Sequence, residues 1–178
     1  KKFGYKAKDT LDIMQGLYET HKLLTYPRTD NRYLSDEHFY QAKDIFNAIS
    51  VNFPSLTAAM DGVDLSIKHS AFDASKIEAH HAILPTTKSA AGISLNPKEK
   101  NVYELVSKSF IALFYPDSVR EKTKVHFNIN SYVFVSNQTK LISSGWESIG
   151  GGEDKDSEED EEENTSFNLS SLKMNDNG

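Results

Sequence analysis

A chain of 178 residues with 38% hydrophobic content can bury a sizeable core, and with no cysteine it holds neither a disulfide nor a thiolate zinc site. Its formal charge of −6 excludes a uniformly basic nucleic-acid binder, but residues 153–163 alone hold nine acids and one Lys, leaving 19 basic against 17 acidic residues elsewhere. No apolar run approaches the roughly 18 residues of a membrane span and no signal peptide is visible, so a non-membrane protein of a reducing compartment is expected.

In chain order, Leu11, Met14, Leu17 and Tyr18 recur at helical spacing and predict a first helix over about 8–20. Leu23 to Arg28 reads as a short extended segment. Ser35 is a good N-cap for a helix over about 36–52, with Phe39, Ala42, Ile45, Phe46 and Ile49 on one face. Asp61-Gly62 marks a turn, and 62–79 is a polar connection ending at His80-His81. Asn96-Pro97 pairs a cap with a proline at the first helical position, and Val102, Leu105, Val106, Ile111 and Leu113 carry that helix to about Phe114. Tyr115-Pro116-Asp117 stops it.

From about 119 the period changes to two. Val125, Phe127 and Ile129 alternate with His126, Asn128 and Asn130, and Tyr132–Val135 and Lys140–Ser143 offer two further strands. Gly150-Gly151-Gly152 starts a linker, and the acidic run after it has the composition of disorder. Phe167, Leu169 and Leu172 are candidate anchors should part of 164–174 dock. The expected fold class is α+β, mainly α, with a few antiparallel strands and no internal repeat.

Thr25-Tyr26-Pro27-Arg28-Thr29-Asp30 is the segment with chemical content. Pro27 fixes its own φ and pushes Tyr26 out of the helical region. In extended backbone, residues two apart share a face, so Tyr26 and Arg28 project together while Thr25 and Pro27 face the other way. Arg presents a planar fork of donors to phosphate oxygens, and Tyr an oxygen nucleophile. A free phenol ionises near pH 10, so such a nucleophile needs activation. The plainer alternative is that Tyr26, one of eight tyrosines, packs its ring and hydrogen-bonds its hydroxyl. His80 and His81 could ligate a metal, but adjacent residues in extended chain point to opposite faces, so no metal site is assigned. One of the two could equally cap or pack.

The run Gly4-Tyr5-Lys6-Ala7-Lys8-Asp9-Thr10 leads through Leu17-Tyr18-Glu19 and Leu23 to Asp30, and then to Arg32-Tyr33-Leu34. With the later Glu78-Ala79-His80-His81-Ala82-Ile83-Leu84-Pro85-Thr86, it resembles the active-tyrosine region of type IA DNA topoisomerases, nearest the topoisomerase III branch, over about residues 4–150. The resemblance implies a helical tyrosine-bearing domain with a helix-turn-helix-like core over 1–118. It further implies strands of a neighbouring arch domain over 119–150 and an acidic linker or tail over 151–178.

It also implies transient cleavage of one DNA strand through a 5′-phosphotyrosine link, strand passage and resealing without ATP. Tyr26 would be the nucleophile, Arg28 the phosphate-contacting cation and His80 the histidine near the scissile phosphate. Arg28, Thr29, Asp30, Arg32 and His80 would face DNA, and His81 would be structural. Asn31 stands where the family usually has Ser. The family's Mg²⁺ belongs to an acidic domain built on a strand followed by Asp-x-Asp. Here Asp154-Lys155-Asp156 follows no apolar strand, so Mg²⁺ is expected outside this chain. The chain, which starts at Lys1, is thus expected to be a fragment, inactive alone. Its expected partners are single-stranded or negatively supercoiled DNA and the remaining domains of the same protein, in the bacterial cytoplasm at the nucleoid. A non-catalytic helix-turn-helix DNA-binding module is the alternative, with a protein-interaction fragment third.

Overall fold

The computed structural model describes residues 3–129 and 132–150, with nothing said of the Ile129 side chain. The linker beyond Gly150, the acidic run, Asp154-Lys155-Asp156 and the candidate anchors Phe167, Leu169 and Leu172 lie outside the described residues.

Among the described residues, five α-helices and one two-stranded antiparallel sheet make an α+β fold with helices predominant. Helix α1 (Ala7–Glu19) buries Leu17 against the rest of the body, with Ile13 and Met14 partly covered. Its end is abrupt. Lys22 takes φ +57°, and the Leu23 amide turns back to donate to the Leu17 carbonyl at 2.8 Å. That reversal launches the segment leading to Tyr26, whose Leu23 and Leu24 side chains are buried and which bends at Pro27.

The helix expected over 36–52 is two helices, α2 (Asp36–Tyr40) and α3 (Ala42–Asn52). Gln41 between them sits at φ −80°, ψ −3°. Its carbonyl accepts from Asp44 at 3.0 Å and Ile45 at 3.1 Å. The apolar stripe crosses the break unchanged, which is why periodicity alone does not register it. A tight turn at Pro54–Leu56 and the short α4 (Thr57–Met60) fill the approach to Asp61-Gly62 and were not anticipated.

Helix α5 (Pro97–Ala112) starts as the sequence reads. The Asn96 side chain accepts from the Lys98 amide at 2.9 Å and the Glu99 amide at 3.0 Å, and Glu99 reaches back to the Asn96 amide at 2.8 Å. The same carboxylate lies 3.2 Å from His21 and so ties the end of α1 to the start of α5.

α5 is shared by both halves of the core. Val102 and Tyr103 pack with Leu17, Leu23, Leu24 and Leu95. Phe110 and Ile111 pack with Leu34, Ile45, Phe46, Ile49, Phe72 and Phe114. The first cluster holds the segment entering Tyr26, and the second holds α3 and the loop leading to His80.

Strands β1 (Val119–Ile129) and β2 (Tyr132–Ser143) pair antiparallel. Two separate strands were expected over 132–143. One is observed, because Ser136, Asn137, Gln138 and Thr139 keep their partners Val125, Lys124, Thr123 and Lys122. The alternation also fails to bury a face. Phe127, Tyr132, Val133, Phe134 and Val135 are exposed, since no layer among the described residues covers the ribbon.

The base of the hairpin is fixed instead. The Trp146 amide donates to the Pro116 carbonyl at 3.1 Å, and Ile149 returns into the Phe114 cluster. Gly145 sits at φ +46°, where an added Cβ would collide with the carbonyl oxygens of Pro116 and Asp117.

Candidate functional site

Tyr26 and His80 meet because two distant segments are clasped on both sides of them. Leu24 and Pro85 form an antiparallel bridge. The Thr25 amide donates to Leu84 at 3.0 Å, and the Thr86 amide donates to Leu23 at 2.9 Å. Thr25 Oγ1 accepts from the Leu84 amide at 3.0 Å, so this side chain serves the bridge, on the side away from Tyr26. Beyond the tyrosine the chain loops and returns, and the Ala82 amide donates to Tyr33 at 2.8 Å. Between these clasps the Tyr26 and His80 rings lie 4.8 Å apart, centroid to centroid, at 41°.

The chain bends at Pro27. Pro27 is buried, Tyr26 half-buried and Arg28 exposed, so the proline ring anchors the backbone at this point. Tyr18 of α1 stands edge-on to Tyr26, with centroids 5.6 Å apart. The Tyr26 hydroxyl has no hydrogen-bond partner among the described residues, and Arg28, Asp30, Arg32 and His80 have no hydrogen bond or ion pair there. These groups are at the surface with their bonding capacity open. Arg28, Asp30 and Arg32 are exposed, as is His80, so all four are accessible.

Thr29 and Asn31 shape the turn. Thr29 Oγ1 accepts from the Asn31 amide at 3.0 Å, and Asn31 Oδ1 accepts from the Tyr33 amide at 2.7 Å. Asn31 Nδ2 donates to the Lys76 carbonyl at 3.0 Å. An amide can accept at one atom and donate across the loop at another, whereas a serine hydroxyl is a single shorter group. Asn at this position thus staples the tyrosine turn to the Ala74–Lys76 turn.

His81 faces away from the tyrosine, toward α2. Its Nδ1 donates to the Ala82 carbonyl at 2.7 Å, and its ring lies 4.4 Å from that of His38. His38 Nδ1 accepts from the Ser35 amide at 3.1 Å, closing the start of α2. Burial, and then the neighbouring His81, hold the His38 pKa below its ordinary 6.5, partly offset by Glu37. The unfolded chain therefore binds this proton more readily than the folded one. The associated stability is complete above pH 6.5 and is lost as pH falls through the lower folded value. Thermal melts between neutral and mildly acidic pH should show a decline that His38→Gln makes shallower. An identical pH profile in that variant would assign the decline to other groups. Sequence reading missed His38 because a capping partner three residues after Ser35 is usually Glu or Gln.

Several hollows lie away from the tyrosine. One of them, about 560 Å³, is lined by Phe53, Ala90, Ile93, Leu95, Lys100 and their neighbours, and includes none of Tyr26, Arg28 and His80. Its lining has Lys100 as its one charged group and the Ser94 side chain as its one hydroxyl. Among the described residues no three His, Asp or Glu side chains come together to hold a metal ion. No helix there is long and apolar enough to cross a membrane.

Comparison with known proteins adds a family. The family model described as "DNA topoisomerase" matches residues 1–177. The chain is 40% identical over 158 residues to "DNA topoisomerase 3" of Vibrio cholerae, an alignment covering 89% of this chain and 24% of that protein. It is 38% identical over 160 residues to the Pasteurella multocida protein of that name, covering 90% and 24%. The Bacillus subtilis protein of the same name is 34% identical over 167 residues, covering 93% and 23%. The chain spans about a quarter of the length of the curated relatives it matches.

Proposed function

Because this chain belongs to the DNA topoisomerase family, we propose that it is the tyrosine-bearing portion of a type IA enzyme of the topoisomerase III kind. Tyr26 is its nucleophile. The observation that carries this reading is the pairing of an exposed histidine with a tyrosine whose hydroxyl is unengaged, 4.8 Å ring to ring. A binding-only helix-turn-helix module would have no use for a free phenol clasped against a histidine by two separate backbone bridges.

In the proposed step the Tyr26 oxygen attacks a backbone phosphorus. A phosphorus–tyrosine oxygen bond forms, the bond to the 3′ oxygen breaks, the phenolic proton is released and the 3′ oxygen takes up a proton. The 5′ end stays on the protein as a phosphotyrosine. Arg28, two residues on and on the same side of Pro27, stabilises the charge that builds on the phosphate oxygens. His80, when protonated, donates to the same phosphate. Thr29 holds the turn, and Asp30 and Arg32 flank the DNA path. Reversal by the 3′ hydroxyl reseals the strand, so no ATP is needed.

The helical body over 1–118, the arch strands over 119–150 and the acidic segment over 151–178 are the proposed divisions. The exposed apolar side chains of the hairpin support an arch assignment, because they call for further strands or another layer. Mg²⁺ in the complete enzyme is proposed to sit outside this chain, and no step above is routed through it. The substrate is single-stranded or negatively supercoiled DNA in the cytoplasm, at the nucleoid. The 178-residue chain alone is proposed to be inactive.

The test is denaturant-resistant capture of single-stranded DNA by the intact enzyme. Arg28→Ala should lower the captured yield by far more than it lowers affinity at one fixed salt concentration, because one phosphate contact is a small part of a DNA footprint. A charge-assisted contact to the reacting phosphate is worth about 1.5–3 kcal/mol, or tenfold to a hundredfold in rate. Arg28→Lys should restore only part of it, since a point charge cannot reproduce the fork. Equal losses of affinity and yield would reduce Arg28 to an ordinary backbone contact.

A further inference from the structure

Lys22 stands in the turn between α1 and the tyrosine segment at φ +57°, the one non-glycine residue with positive φ among the described residues. A Cβ in that region costs on the order of 1 kcal/mol, a cost glycine escapes. The turn does not depend on the lysine side chain. It is closed by backbone, with Leu23 N–H on the Leu17 carbonyl at 2.8 Å, and by the Thr86 hydroxyl donating to the Lys22 carbonyl at 2.7 Å.

The side chain has another setting. Its ammonium lies 5.5 Å from the centre of the Tyr18 ring, and no carboxylate among the described residues pairs with it. Tyr18 is the ring that stands edge-on to Tyr26 at 5.6 Å. The strained position therefore delivers an unpaired cation one aromatic ring away from Tyr26, on the side of that ring carried by α1.

We propose that Lys22 is a backbone-phosphate contact for single-stranded DNA, beside the phosphate that Tyr26 attacks, with Tyr18 as the platform that holds the lysine stem. The placement of DNA at Tyr26 rests on the function proposed above. A hydrated point charge on a flexible stem suits a phosphate that must be held without being fixed in orientation. An aromatic ring beneath it aligns the ammonium without neutralising it.

The experiment measures affinity of the intact enzyme for oligothymidylate over a salt series, with Lys22→Gln, Lys22→Gly and Lys22→Arg beside the wild type. Thermal midpoints are taken for each. Lys22→Gln and Lys22→Gly should each weaken binding several-fold at low salt and lower the slope of log affinity against log salt by about 0.7, the value for one phosphate on a single strand. Lys22→Arg should keep the slope. Lys22→Gly should melt at or above the wild-type temperature, which separates the lost contact from a damaged turn.

Unchanged slopes in Gln and Gly variants would overturn the proposal. So would a loss of affinity that appears only where the midpoint falls. A lowered midpoint in Lys22→Gln with binding intact would show that the ammonium serves a protein carboxylate of another domain, which also overturns it. Covalent capture by the wild type and its absence in Tyr26→Phe is scored separately, so failure of the tyrosine assignment is distinguishable from failure at Lys22.

Discussion

Tyr26→Phe is expected to eliminate covalent capture of single-stranded DNA while leaving the fold and most of the DNA affinity in place. The change removes one oxygen. That oxygen has no hydrogen-bond partner among the described residues, so its loss strands no donor or acceptor. The phenyl ring keeps its approach to His80 at 4.8 Å and to the Tyr18 edge at 5.6 Å. Stability should therefore stay within about 0.5 kcal/mol of wild type, the usual range for a half-exposed site without buried partners. Chemistry has no comparable fallback, because phenylalanine offers no atom to bond to phosphorus. In the intact enzyme, a denaturing gel should show no protein–DNA adduct while a filter-binding or anisotropy titration remains close to wild type. Residual adduct would point to Tyr18 or Tyr33, the other tyrosines close to this segment in sequence, and would remove Tyr26 from the role. A large loss of affinity together with a lowered melting temperature would show instead that the hydroxyl supports the structure.

Much of the local conformation was legible because it follows from short-range rules. Pro27, whose φ is fixed by its ring, keeps Tyr26 out of a helix, and here Pro27 is buried between half-buried Tyr26 and exposed Arg28. Asn96-Pro97 starts a helix by satisfying its first amides, and it does so here. The approach of His80 to Tyr26 is of another kind. No spacing predicts it, because it depends on the Leu24–Pro85 bridge and on the return of Ala82 to Tyr33, and only a family resemblance anticipated it.

The break at Gln41 escaped notice because the apolar stripe of Phe39, Ala42, Ile45, Phe46 and Ile49 runs across it. Lys22 was invisible for the opposite reason: glycine or asparagine would have announced a left-handed turn, and lysine does not. His81 drew attention only as the neighbour of His80. Its contact with His38 joins α2 to the segment beside the tyrosine, a pairing that no local pattern encodes.

The largest change in stability is expected at Phe114, where the same long-range packing can be tested. Phe114 is fully buried and contacts four rings from four parts of the chain. Phe39 of α2 stacks at 5.8 Å, Phe46 of α3 meets it at 5.1 Å, and Phe72 and Phe110 each lie 5.5 Å away. Phe114→Ala should cost about 3–5 kcal/mol, since the ring is lost from water-free packing and its neighbours cannot all close the space. Phe114→Leu should cost clearly less, because most of the volume remains and only the ring-to-ring geometry goes. Urea titrations of the 178-residue chain would rank the two. Near-equal losses would mean that ring stacking, not volume, dominates at this point. Phe72 begins the loop that runs through the Ala74–Lys76 turn to His80, and Lys76 in that turn holds Asn31 beside the tyrosine. Loosening Phe114 should therefore reach the site through Phe72. In the intact enzyme at a temperature where Phe114→Leu is still folded, adduct yield should fall while DNA affinity is kept. Unchanged adduct yield at that temperature would show that the bridge at Leu24–Pro85 positions His80 by itself, without help from the aromatic core.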